Sequence, residues 1–143
     1  MILPDVNVLV YAHREDTAHH AACRTWLEAA INSDQAYGMA ELVLSGFVRV
    51  VTHPRIFERP STLDQALAFV ADVCNQPNCV PVRPGPRHWS IFEQLCQAVQ
   101  VRGNLVPDAY LVALAIEAGC EWITTDRDFS RFPGLSWRHP LDG

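Results

Sequence analysis

The stretch DAYLVALAIEAGCEWITTD, residues 108–126, decides the fold. Asp108 to Ala118 is almost entirely apolar, which predicts a helix surrounded by protein on most of its circumference. Gly119 supplies the C-cap, and Trp122 to Thr125 read as a strand ending at Asp126. A central helix feeding a buried strand predicts helices layered on a sheet.

The same alternation runs upstream. Met1 to Leu3, with the Val6 to Val10 run, reads as a buried strand ending near Asp5, followed by a turn into a short helix. Thr17 is positioned to cap a helix to about Ser33, in which Ala22, Trp26, Leu27, Ala30 and Ile31 recur at helical spacing. Ala36 to Ala40 predicts a second strand, and Glu41 opens a helix with Leu44, Phe47, Val48 and Val51 on one face, stopped by His53-Pro54. Thr62 caps the next helix, through Leu67, Val70, Ala71 and Cys74. Cys79 to Val82 reads as a third strand, and His88 to about Arg102 as a helix stopped by Gly103-Asn104. A short edge strand near Leu135 to Arg138 closes the list. The expected fold is therefore α/β, three layers with a central, mainly parallel β-sheet flanked by helices.

A length of 143 residues, nearly half of them apolar, suits a single domain with its own core, spanning residues 1–143. The longest apolar runs are too short to cross a membrane, and Asp5 interrupts the first of them, so no secretory signal is expected and the chain is placed in the cytoplasm. Five scattered cysteines, Cys23, Cys74, Cys79, Cys96 and Cys120, read as buried thiols rather than a disulfide or zinc framework. All eleven basic residues are arginine. Without lysine, an ordinary P-loop NTPase, a Schiff-base enzyme and a phosphatase relying on the usual phosphate-binding lysine are excluded.

The acids carry the functional information. Asp5 follows the first strand, Glu41 the second and Asp126 the fourth, while Asp108 opens the apolar helix. In a parallel sheet these strand-to-helix junctions share the edge where ligands bind in open α/β folds. Singly, each acid also reads as a helix cap or first-turn residue. Gathered within ~5 Å, they would repel by roughly 3 kcal/mol per pair at an effective dielectric near 20. Divalent cations offset that, and an all-oxygen set selects Mg²⁺ or Mn²⁺ over zinc. Asp128 either supports the acids or caps a short turn through Phe129, the second reading being preferred.

Asp5-Val6-Asn7, Glu41, Pro107-Asp108-Ala109 and Thr124-Thr125-Asp126-Arg127-Asp128-Phe129 resemble, in order and over essentially the whole chain, the motifs of PIN-domain ribonucleases, and in particular the VapC-type toxins of bacterial type II toxin–antitoxin systems. The resemblance implies an endoribonuclease using one or two Mg²⁺ or Mn²⁺ ions. Asp5, Glu41, Asp108 and Asp126 match the family's acidic positions, and Asn7 the polar residue that orients the first acid, with Thr125 and Asp128 supporting. Val6 stands where many relatives carry a small hydroxyl residue. The resemblance further implies a homodimer, RNA as substrate and inhibition by a cognate antitoxin whose tail fills the groove leading to the acids.

The net charge of −5 works against phosphate binding, and arginine offers the local remedy because it pairs with phosphate bidentately. Arg49, Arg55 and Arg59 are the candidates for an RNA track; solvated charges or ion-pair partners is the other reading. His13, His19 and His20 lack metal spacing and are read as surface or capping residues, while Trp26, Trp89 and Trp122 are read as core. Two rival functions stand beside the nuclease. A haloacid-dehalogenase-like phosphatase would also place Asp at the first strand's end, but Asp5-Val6-Asn7 lacks its second Asp. A non-catalytic RNA- or protein-binding module gives no reason to gather four acids.

Overall fold

Five short strands, none longer than four residues, pair in one sheet. The structure, a computed structural model, describes residues 1–142. In chain order the elements are β1 (Ile2–Pro4), α1 (Val6–His13), α2 (His20–Asn32), β2 (Tyr37–Ala40), α3 (Glu41–Val51), α4 (Leu63–Cys74), β3 (Cys79–Val82), α5 (His88–Val99), α6 (Leu105–Ala118), β4 (Glu121–Ile123), a 3₁₀ turn (Arg127–Arg131) and β5 (Trp137–Arg138). The sheet order is β3-β2-β1-β4-β5 and every pairing is parallel.

Right-handed crossovers from β1 to β2 to β3 carry α1 to α4 over one face, and the reversal from β3 to β4 carries α5 and α6 over the other. The packing agrees: α1 lies on α2 and α3, α3 on α4, and α5 on α6. The strand order reverses between β1 and β4, which makes their carboxyl ends the switch point where α/β folds open a crevice. Asp5 continues from β1 there, its N–H donating to the Ile123 carbonyl at 2.8 Å.

The core explains why the elements sit where they do. All four residues of β2 are buried, and Leu3, Trp122 and Ile123 are fully buried in β1 and β4. Helix α6 buries Ala109 and Leu111 to Ala115 continuously, as the apolar run requires, and ends on Gly119 with φ +67°. At Gly38 in β2 a Cβ would stand 2.7 Å from a methyl of the Val82 side chain, so glycine leaves the room that Val82 fills on this face of the sheet. Thr62 caps α4 in a full capping box with Gln65.

Several expectations are corrected. The Val6 to Val10 run is helical, because Asp5 caps it directly and burial of Val8, Leu9 and Val10 is served by a helix face. Thr17 caps nothing: its hydroxyl donates to the Arg14 carbonyl at 2.8 Å, and α2 begins at His20 without a side-chain cap. Helix α5 ends at Val99 on a left-handed Gln100, and α6 begins three residues before Asp108. Pro107 is tolerated in its first turn because the N–H groups there have no intrahelical acceptor. Trp122 is core, but Trp89 is 61 % exposed and only leans its ring on Phe92 at 5.1 Å. Cys23 and Cys120 are buried; Cys74, Cys79 and Cys96 are half-buried, and all five are free thiols. No described helix is long and apolar enough to cross a membrane.

Candidate active site

Asp5 is where the local and tertiary demands meet. As N-cap of α1 it turns one carboxylate oxygen, Oδ1, to the Val6 N–H at 2.6 Å. Its Oδ2 accepts the Thr124 hydroxyl at 2.7 Å and the Asn7 side-chain amide at 3.3 Å. The residue is only 6 % exposed. Burial raises its pKa to about 6, against the lowering effect of the Thr124 and Val6 hydrogen bonds, with the neighbouring Asp108 and Asp126 charges pushing further upward.

Thr124 is the hub that fastens β1 to β4. Its fully buried hydroxyl donates to Asp5 and accepts from the Asn7 amide at 3.2 Å and the Asp126 N–H at 3.1 Å. One donor and two acceptors exhaust a hydroxyl. Asn7 in turn accepts the Thr125 N–H through its side-chain carbonyl at 3.2 Å. Thr125, expected as the supporting threonine, contributes that N–H, while Thr124 supplies the contact to Asp5.

Asp108 sits in the first turn of α6, half-buried, and its pKa is raised by burial and by Asp126, with Arg131 pulling the other way. Asp126 caps the 3₁₀ turn by accepting the Asp128 N–H at 2.9 Å. The cap is therefore Asp126; Asp128, read as the cap, is exposed in the turn's first positions. Phe129 anchors the turn by burying its ring against Trp122 and Phe132. Asp108, Asp126, Asp128 and Arg131, with Leu105 and Phe132, line a cleft of about 60 Å³.

Glu41 stands apart. It opens α3 at the end of β2, the neighbour of β1, so its backbone reaches the same edge. Its side chain is 76 % exposed and its Oε1 accepts from Arg83 at 3.1 Å. Its charge does not figure among those acting on Asp5 or Asp108. The structure thus brings together Asp5, Asp108 and Asp126 and turns Glu41 toward the end of β3. All four are also caps or first-turn residues, so the two readings of each acid coexist.

The donor set is all oxygen, which fits a hard divalent ion. Among the described residues, no three His, Cys, Asp or Glu side chains yet stand close enough to grip one. Arg49, Arg55 and Arg59 are exposed, and no ion pair among the described residues includes them. Arg59 lines a different groove, with His13, Arg14 and Ser61. The histidines hold structure: His13 pairs with the Ser61 hydroxyl at 3.0 Å and His20 with the Tyr11 carbonyl at 2.9 Å. Sequence reasoning missed Thr124, signalled only by its place in the TTD run, and Arg131, which had no signal.

A parallel sheet with aspartates gathered at its switch point defines a class, and the chain belongs to it: the PIN-domain family, whose model matches residues 2–135. Its relatives there are VapC ribonucleases. Ribonuclease VapC43 of Mycobacterium tuberculosis (strain ATCC 25618 / H37Rv) is 46% identical over 143 residues, covering 100% of this chain and 97% of the relative. Ribonuclease VapC25 of the same strain is 41% identical over 140 residues, with 98% and 99% covered. Among solved structures, the fold is shared with VapBC2 from Rickettsia felis, bound to a DNA fragment from its promoter, at a TM-score of 0.71 and 17% identity, covering 97% of this chain and 98% of that one. It is shared also with Mycobacterium tuberculosis VapC20, described as a sarcin-ricin loop cleaving toxin, at a TM-score of 0.66 and 15% identity, with 94% and 98% covered.

Proposed function

We propose that this protein is a metal-dependent endoribonuclease, the toxin of a toxin–antitoxin pair. The observation that carries the reading is the locked pose of Asp5, buried and fixed by Thr124 and Val6 beside Asp108 and Asp126. A structural cap needs neither the burial nor the neighbouring acids. Family membership alongside VapC ribonucleases supports RNA as substrate, and likeness to VapBC complexes supports a cognate antitoxin.

On this reading Asp5, Asp108 and Asp126 hold one or two Mg²⁺ or Mn²⁺ ions, with Glu41 joining when its carboxylate leaves Arg83. Bound there, such an ion lowers the pKa of water and stabilises charge at the leaving oxygen of an in-line displacement. The chain's own part is positional. Val6 holds one oxygen of the Asp5 carboxylate and Thr124 and Asn7 hold the other, so the group keeps one orientation beside Asp108 and Asp126 rather than rotating. Asp126 keeps one oxygen on the Asp128 N–H and leaves the other available. Arg49, Arg55 and Arg59 provide a longer RNA track, the protein works in the cytoplasm, and it assembles as a homodimer.

The test is incubation of antitoxin-free protein with total RNA in Mg²⁺, Mn²⁺ or EDTA, with Asp108→Asn alongside. Discrete fragments that require metal and vanish in the variant are expected. Intact RNA throughout, from folded protein, would instead favour a non-catalytic binding module.

A further inference from the structure

Arg131 ends the 3₁₀ turn and lies on the wall of the cleft that holds Asp108 and Asp126. Its Nε donates to the Asp128 carbonyl at 2.9 Å, which fixes the plane of the guanidinium. The nearest carboxylate contact, Nη2 to Asp128 Oδ2, is 3.6 Å, beyond hydrogen-bond length, and Asp128 itself is 78 % exposed. A guanidinium carries five N–H donors, so most of them remain available to a ligand. The side chain is 38 % exposed, partly covered yet open to the cleft.

The other arginines near this edge are engaged. Arg127 gives both Nη groups to Asp142 at 3.2 Å, and Arg83 is bound to Glu41. Among the described residues, Arg131 is the cation that lines the acid cleft. A phosphodiester entering a cleft of aspartates meets like charge on every side. A planar, preoriented fork of donors at the wall answers that repulsion with the bidentate geometry phosphate prefers.

We propose that Arg131, held by the Asp128 carbonyl, is the phosphate-binding residue of the cleft and grips a phosphate of the RNA at the point of cleavage. The inference rests on the ribonuclease reading and assigns a substrate contact within it. It also gives Asp128 a role: its main chain orients the arginine, while its carboxylate, exposed and 3.6 Å away, makes only a solvent-screened ion pair that an entering phosphate can displace.

The test measures binding of a short single-stranded RNA to full-length Asp5→Asn protein as salt is raised, with Arg131→Ala, Arg131→Lys and Arg127→Ala introduced separately. Losing one phosphate contact on single-stranded RNA flattens the plot of log K against log salt by about 0.7. Arg131→Ala is expected to do so and to weaken binding on the order of tenfold at low salt. Arg131→Lys should restore the slope with only part of the affinity, because charge returns without the fork. Arg127→Ala should leave the slope alone. An unchanged slope in Arg131→Ala, with or without a lower melting temperature, assigns the residue to the turn's structure and overturns the proposal; an equal fall in Arg127→Ala assigns the effect to diffuse charge and does the same. Wild-type protein that neither binds nor cuts RNA would instead remove the ribonuclease reading on which the assignment stands.

Discussion

Replacing Asp5 by Asn is expected to stabilise the metal-free protein above pH 6 and to destabilise it near pH 4. The folded protein holds the Asp5 proton with a pKa of about 6, chiefly because the carboxylate is buried, against 3.8 for an unperturbed Asp. Between those values the native state binds more protons than the unfolded chain, so stability falls as pH rises through the window and stays low above it. A difference of about two pH units corresponds to roughly 3 kcal/mol. Asn carries no charge and escapes that penalty, but its amide nitrogen cannot accept the Thr124 hydroxyl, a loss of about 1 kcal/mol. The variant should therefore gain roughly 2 kcal/mol at pH 8 and lose about 0.5 kcal/mol at pH 4, where the unfolded carboxyl is already partly ionised, the two stability curves crossing in between. Urea titrations in EDTA from pH 4 to pH 8 would show it. Curves for the two proteins that run parallel would refute the reasoning, since a constant offset means that Asp5 titrates alike in folded and unfolded chains.

Thr124→Val removes the hub's donor and both acceptors; cleavage should fall on the order of a hundredfold and stability by about 1–3 kcal/mol, with Thr124→Ser recovering most of both, as followed by RNA fragment yield and urea melts. Glu41→Gln breaks only an exposed pair, so stability should change by less than about 0.5 kcal/mol. Any loss of cleavage in that folded variant then reports on chemistry, and full activity would remove Glu41 from the acid set. Glu117 accepts the Gly85 and Arg87 N–H groups at 2.6 and 2.8 Å, pinning the turn between β3 and α5 to the end of α6. Glu117→Ala should cost about 1–2 kcal/mol in a denaturant melt while leaving the metal requirement of cleavage untouched.

The layered fold was legible because burial leaves a period in the sequence. The α6 run, the capping box at Thr62 and the alternation of strands with helices each obey one local rule, and the structure satisfies all of them. Elements began or ended a few residues off where one local signal was weighed over another, as at Pro107, which reads as preceding the helix although its missing N–H costs nothing in the first turn of α6. Thr125 supports Asn7 through its N–H, but the expectation left out Thr124, whose hydroxyl makes the contact to Asp5, for a sharper reason. With β4 read to Thr125, the choice between two adjacent threonines is a choice of face, and successive side chains of a strand point oppositely. The strand stops at Ile123, leaving Thr124 fully buried against Asp5 and Thr125 half-exposed.

The acids divide along the same line between what a backbone fixes and what a side chain chooses. Topology places the four junctions at one edge, and that much follows from order and spacing alone. Whether a carboxylate then faces the crevice depends on partners distant in sequence: Thr124 is 119 residues from Asp5 and holds it inward, while Arg83 is 42 residues from Glu41 and draws it outward. These two partners differ in strength as well as direction. The Asp5 contact is buried and closes a network with no spare donor, so breaking it leaves polar groups without partners. The Glu41 contact is exposed to water and weak, so releasing the side chain from Arg83 costs little. On the proposed reading Asp5 is the fixed member of the site and Glu41 its movable one.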